Sequence, residues 1–147
     1  MHAQQIFVAA LVAFGATLTQ ASPIEVRGLG DIKLGSLGSI SCNLARAKIV
    51  GALSAAKSAA NSITDATVKQ ATLDGINAAN GGISNIGKAL VAGTASPTSE
   101  REKVEAGIKA AAAAAQGGDQ TDPNVAEATK SLANAAKAGQ DVLAQCK

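Results

Sequence analysis

The stretch from Asp122 to Lys147 restricts the chain most. Val125, Ala128, Leu132, Ala135, Gly139, Val142 and Cys146 recur at alternating steps of three and four. That is the spacing of a helix that buries one narrow seam. Asp122 supplies an N-cap, and Pro123 fits the first helical position with its preset φ. The seam ends on Cys146, and the only other cysteine is Cys42. A bond between them would pin this helix to the start of the ordered chain.

The first residues bear on whether that bond forms. Ile6 to Leu18 is an almost unbroken apolar run without charge, followed by Thr19-Gln20-Ala21. Residues 1–21 read as a secretory signal cut after Ala21. The run is too short for a comfortable membrane span, and no later stretch is apolar enough to make one. Secretion is an oxidising route, so two cysteines in such a chain are read as one disulfide, Cys42–Cys146. The pair lies 104 positions apart. Chain-entropy arguments give about 4.7 kcal/mol for a loop near 100 residues. That matters here, because an alanine core buries little area per residue.

Loss of residues 1–21 narrows the chemistry. Ser22 to Lys147 contains no His, Met, Phe, Tyr or Trp, and Ala supplies 28 of its 126 residues. The side-chain net charge of +2 is too weak and too dispersed for nucleic acid or an anionic membrane. Base stacking lacks aromatics.

In chain order, Ser22 to Ile40 reads as a flexible Gly-rich arm or short pro-segment. Glycine recurs too often from Gly28 to Gly38 for a helix to persist. Leu29, Ile32, Leu34, Leu37 and Ile40 keep it apolar, which suits an arm that packs on the domain or attaches to a surface. Arg27 before Gly28 is a candidate monobasic processing site. The Gly28-Leu29-Gly30 start of a dinucleotide fingerprint fails, since Lys33 stands at the third glycine and no strand precedes it.

A first helix is expected over about Ser41–Asn61, capped by Ser41, with Cys42, Ile49, Leu53, Ala56, Ala60 and Ile63 inward. Arg46 breaks that seam and would send its head to water. A second helix starts at Thr64-Asp65 with Val68, Thr72, Ile76 and Ala79 inward. Asn80-Gly81-Gly82 should break or kink it, leaving one kinked helix or two short ones before Gly93. Thr94–Ser99 is a loop whose Thr94, Ser96, Thr98 and Ser99 around Pro97 are candidate O-glycosylation sites. Ser99 and Glu102 form a capping-box pair for a third helix reaching Gln116. Gly117-Gly118 ends it, and the last helix starts at Pro123. Short connections predict antiparallel neighbours. Residues 41–147 are therefore expected to form an all-α, up-down-up-down four-helix bundle closed by one disulfide. That topology puts Cys42 and Cys146 at the same end, as the disulfide requires. A tight alanine-lined core leaves little room for a large ligand, so a lipid carrier is not favoured.

Catalysis finds no support. Nucleophilic catalysis needs a base beside the nucleophile, usually His, and this part of the chain has none. Ser54 or Ser58 with Lys57 is a local coincidence on an Ala-rich helix. Glu100, Glu102 and Glu105 alternate with Arg101 and Lys103, as acids complementing a helix start do. Asp119, Asp122 and Asn124 lack EF-hand spacing. Zinc, copper and haem lack their usual ligands, so no catalytic residue, metal or cofactor is assigned. Lys130 and Lys137 form a solvated row.

An Ala/Gly/Ser-rich secretory precursor with a Pro-Ile-Glu-Val-Arg leader, two cysteines and no aromatics after its signal resembles small secreted fungal surface proteins. It is similar to alanine-rich conidial cell-wall proteins, and more loosely to hydrophobic-surface-binding proteins and helical cell-wall mannoproteins. The resemblance implies a non-enzymatic spore- or wall-surface protein, extracellular and wall-associated. Its partners would be wall polysaccharide or other surface proteins. An effector binding a host protein, or a small lipid carrier as the mannoproteins imply, is the alternative. The chain has no hydrophobic C-terminal tail for a glycolipid anchor.

Overall fold

The computed structural model describes residues 39–146. The expected signal at 1–21, the arm up to residue 38, and with them Ala21 and Arg27, lie outside the described residues. Four helices follow one another: α1 (Ile40–Asn61), α2 (Ala66–Val91), α3 (Thr98–Gln116) and α4 (Pro123–Gln145). There is no strand among the described residues. Each helix packs on its neighbour in sequence, and α4 returns to α1. The expected four-helix bundle forms, with Cys42 bonded to Cys146.

The helix starts explain themselves in three different ways. Asp122 caps α4 by accepting the Asn124 N–H, with Pro123 in the first turn, as expected. Asp65 caps α2 through the N–H groups of Thr67 and Val68. α1 differs from expectation: Ser39, not Ser41, accepts the Cys42 N–H, and Ser41 lies inside the helix. α3 differs too. It begins at Thr98 with Pro97 at the cap position and no side-chain cap bond, so the Ser99–Glu102 capping box does not form. Glu100 turns sideways instead, as described below.

The core is a cluster of small and branched side chains. Leu53, Ile76 and Leu132 are fully buried among Ala56, Ala79, Ala111, Ala128 and Ala135. The predicted α1 seam is the buried one, with Ala45 taking the turn that half-exposed Arg46 leaves. In α4 the buried stripe passes through Ser131 and Ala138 rather than Gly139. Ser131 and Ala138, seven positions apart, widen the buried stripe to one side of the strict three-four seam.

The bundle divides into two tightly packed pairs. α1 packs on α4, and α2 on α3, far more extensively than α1 on α2 or α3 on α4. α2 is continuous through Asn80-Gly81-Gly82, where a break or kink was expected. The reason is packing. A Cβ at Gly75 would sit 2.5 Å from the Ala111 nitrogen, and one at Gly82 would sit 2.8 Å from the Glu100 carbonyl oxygen. Facing them, a Cβ at Gly107 would lie 2.6 Å from the Ala79 nitrogen. These glycines let the two backbones touch, and the close dispersion contacts offset their poor helix propensity.

Candidate functional site

The two ends of the bundle are built differently. At one end, the α1–α2 and α3–α4 turns are knotted together by side chains. The Asp122 carboxylate accepts the Thr64 N–H at 3.1 Å as well as its own cap bond. Asn124 Nδ2 donates to the Ser62 carbonyl at 3.0 Å. Asp119 accepts both the N–H and the hydroxyl of Thr121. These bonds favour the charged carboxylates. Asp122 is held below the usual carboxylate range chiefly by the Thr64 N–H, then by that of Asn124. Asp119 is held below it by the Thr121 N–H and then its hydroxyl. Asp119, Asp122 and Asn124 are thus engaged in structural bonds.

At the other end lie the disulfide and the α2–α3 connection. Cys42 is fully buried in the first turns of α1, and its Cα is 5.0 Å from that of Cys146, the cap of α4. Beside the disulfide is an open cleft of about 510 Å³ lined by Arg46, Leu90, Thr94, Ser96, Arg101 and Cys146. The four candidate glycosylation residues all belong to this end. Thr94 and Thr98 are exposed, the first donating its hydroxyl to the Ala89 carbonyl and the second accepting from Arg101. Ser99 is exposed in the first turn of α3. The Ser96 hydroxyl is turned inward, inaccessible and without a hydrogen-bond partner, so it presents no acceptor for a sugar.

A second cleft, about 620 Å³ and also open, runs along the α2–α3 pair over a floor of Gly75, Gly82 and Gly107. Glu100 lines it with only 13% of its side chain exposed, accepting from Lys103 at 2.7 Å and from Asn85 at 3.0 Å. The Lys103 bond first, and the Asn85 bond second, hold its carboxyl below the ordinary value. Sequence reasoning grouped Glu100 with Glu102 and Glu105, both of which are exposed. Asn85 gave no signal, because its partner is 15 residues away on another helix.

The remaining candidates stay apart. Ser54, Lys57 and Ser58 are exposed on α1, and Lys57 reaches Asn77 of α2 at 3.4 Å. Lys130 pairs loosely with Glu127, and Lys137 is exposed. Among the described residues no group of His, Cys, Asp or Glu could hold a metal ion. No described helix is long and apolar enough to cross a membrane.

Among the described residues, four of the five exposed large hydrophobic side chains lie toward the disulfide end, Ile40 and Leu44 on the first turns of α1, Val91 at the end of α2 and Leu143 on the last turn of α4, while Val50 lies midway along α1. Comparison with protein families, curated proteins and solved structures finds no match for the chain.

Proposed function

We propose that the chain is a non-enzymatic, secreted structural protein of a fungal spore or cell-wall surface, which it masks. The observation that carries the reading is the construction of the bundle. Its core is closed by small side chains and its two chain-terminal helices are clasped by a disulfide. Such a unit withstands an extracellular setting in which a small domain has little apolar burial to rely on. Attachment would run through wall polysaccharide or neighbouring surface proteins. Sugars on Thr94, Thr98 or Ser99 would decorate the disulfide end.

Washed walls and culture filtrate from the producing cells test this directly. Recovery mainly from the wall supports the coat reading. Recovery mainly from the filtrate overturns it in favour of an effector acting on a host protein. Native mass spectrometry of the secreted protein adds a second readout: a lipid-sized adduct on the monomer would point to a carrier.

A further inference from the structure

The two sulfurs of the disulfide sit in opposite surroundings. Cys42 is fully buried, so its Sγ is closed to a nucleophile in the folded protein. Cys146 is half-buried at the cap of α4 and lines the open cleft of about 510 Å³. That cleft is cationic. Arg46 reaches it from the second turn of α1, and Arg101 from the first turn of α3. Arg46 donates to Asn43 Oδ1 at 3.3 Å, and Arg101 to Thr98 Oγ1 at 3.2 Å. No described Asp or Glu lines the cleft, and its other walls are neutral. An anion entering it meets two guanidinium groups and the more open sulfur of the pair.

The buried sulfur is placed to leave. Cys42 is the third residue of α1, whose first turn holds no acid. Cβ bonds tilt toward a helix's N-terminus, so Cys42 Sγ lies toward the N–H groups of that turn, where partial positive charge gathers. A helix start favours a thiolate, as does a neighbouring arginine. Arg46 follows Cys42 at i+4, on the same side of α1 one turn on. Thiol–disulfide exchange goes to the accessible sulfur, and it runs faster the better the other sulfur leaves.

We propose that Cys146 is an S-thiolation site for small thiols that carry an acid group, and that the reaction removes the covalent clasp between α1 and α4. The incoming thiolate attacks Cys146 Sγ and forms a new S–S bond there. The Cys42–Cys146 bond breaks, and its electron pair stays on Cys42 Sγ. One disulfide replaces another, with no net oxidation. Arg46 and Arg101 draw the acid group into the cleft, while the start of α1 and Arg46 hold the departing thiolate. The inference concerns the folded protein itself and does not depend on where the cell deposits it.

The test uses the full chain, folded with its disulfide formed, and a set of short thiols that differ in charge at the far end. These are 2-mercaptoethanesulfonate, 2-mercaptoethanol and cysteamine. Exchange is stopped with acid, and the masses of peptic peptides locate the adduct. Cys146 should carry it, with the free thiol on Cys42. Per thiolate, the sulfonate should react fastest and the ammonium slowest, by about tenfold overall at low salt, and about 1 M salt should level them. Arg101→Gln should narrow the spread. Lys137→Gln removes an exposed α4 lysine outside the cleft and should keep it. Adducts on Cys42 or divided between both cysteines, equal or reversed rates, an equal effect of the two substitutions, or no adduct at all each overturns the proposal.

Discussion

Asp122 accepts the backbone N–H of Thr64 at 3.1 Å, across 58 positions of sequence, while capping its own helix through Asn124. One carboxylate thereby fixes both turns at the knotted end. Because Asp122, Asp119 and Glu100 are all held below the usual carboxylate range, folding favours their charged forms. Their contribution is complete above the unfolded values of about 4 and is lost as pH falls through the lower folded ones. Urea midpoints should be flat from about pH 7 to 5 and fall below about pH 4. Asp122→Asn keeps a capping oxygen but not the charge, so it should lower the plateau and flatten the acid slope. An unchanged slope would mean the knot does not couple to stability.

The glycines of α2 and α3 should divide by sign. Gly75→Ala and Gly107→Ala place a Cβ within 2.6 Å of facing backbone, so they should destabilise by about 1–3 kcal/mol despite better helix propensity. Gly81→Ala and Gly139→Ala meet nothing within 4 Å and should stabilise by about 0.5–1 kcal/mol. Thermal unfolding of the four variants side by side is the check. A common sign for all four would refute the backbone-to-backbone contact between α2 and α3.

Thr72 is fully buried in the second turn of α2, and its hydroxyl has no hydrogen-bond partner. An unpartnered buried hydroxyl carries a desolvation cost, and valine has nearly the same shape. Thr72→Val should therefore raise stability by about 1 kcal/mol, read from the denaturation midpoint at constant m-value. A loss of stability would show that the hydroxyl is satisfied after all.

The legible parts of this fold are those set by local chemistry. Asp122-Pro123 starts α4, Asp65 starts α2, and the α1 seam from Cys42 to Ile63 is the buried one, because caps and periodicity act within one or two turns. The cysteine pairing and the bundle topology constrain each other from the sequence alone. What escaped depends on a second helix. Gly81-Gly82 looked like a break because the sequence does not reveal that Glu100 and Val104 press against Gly82. The Ser99–Glu102 box suits a helix start, yet α3 begins two residues earlier than a Ser99 cap implies, at Thr98 with Pro97 at the cap position, and has no side-chain cap. Ser39 and Ser41 are both good caps, and only the helix start chose between them. The cross-helix bonds of Glu100 with Asn85 and of Asp122 with Thr64 have no periodicity to betray them.

The disulfide separates local from global effects. Cys42 is buried, whereas Cys146 closes α4 with a single backbone bond, its N–H to the Val142 carbonyl at 2.9 Å. Removing the bond with Cys42→Ala and Cys146→Ser together leaves no dangling thiol. It frees the unfolded chain of a constraint spanning 104 positions. The loss should be about 2–5 kcal/mol, with a matching fall in Tm. Hydrogen exchange should rise first at Val142 to Gln145 in the last turn of α4, while the Thr64 and Asn124 amides bonded to Asp122 keep their protection, because that end has its own ties. An unchanged Tm would mean that helix packing alone closes the bundle. Equal loss of protection at both ends would mean that the two ends are not independent.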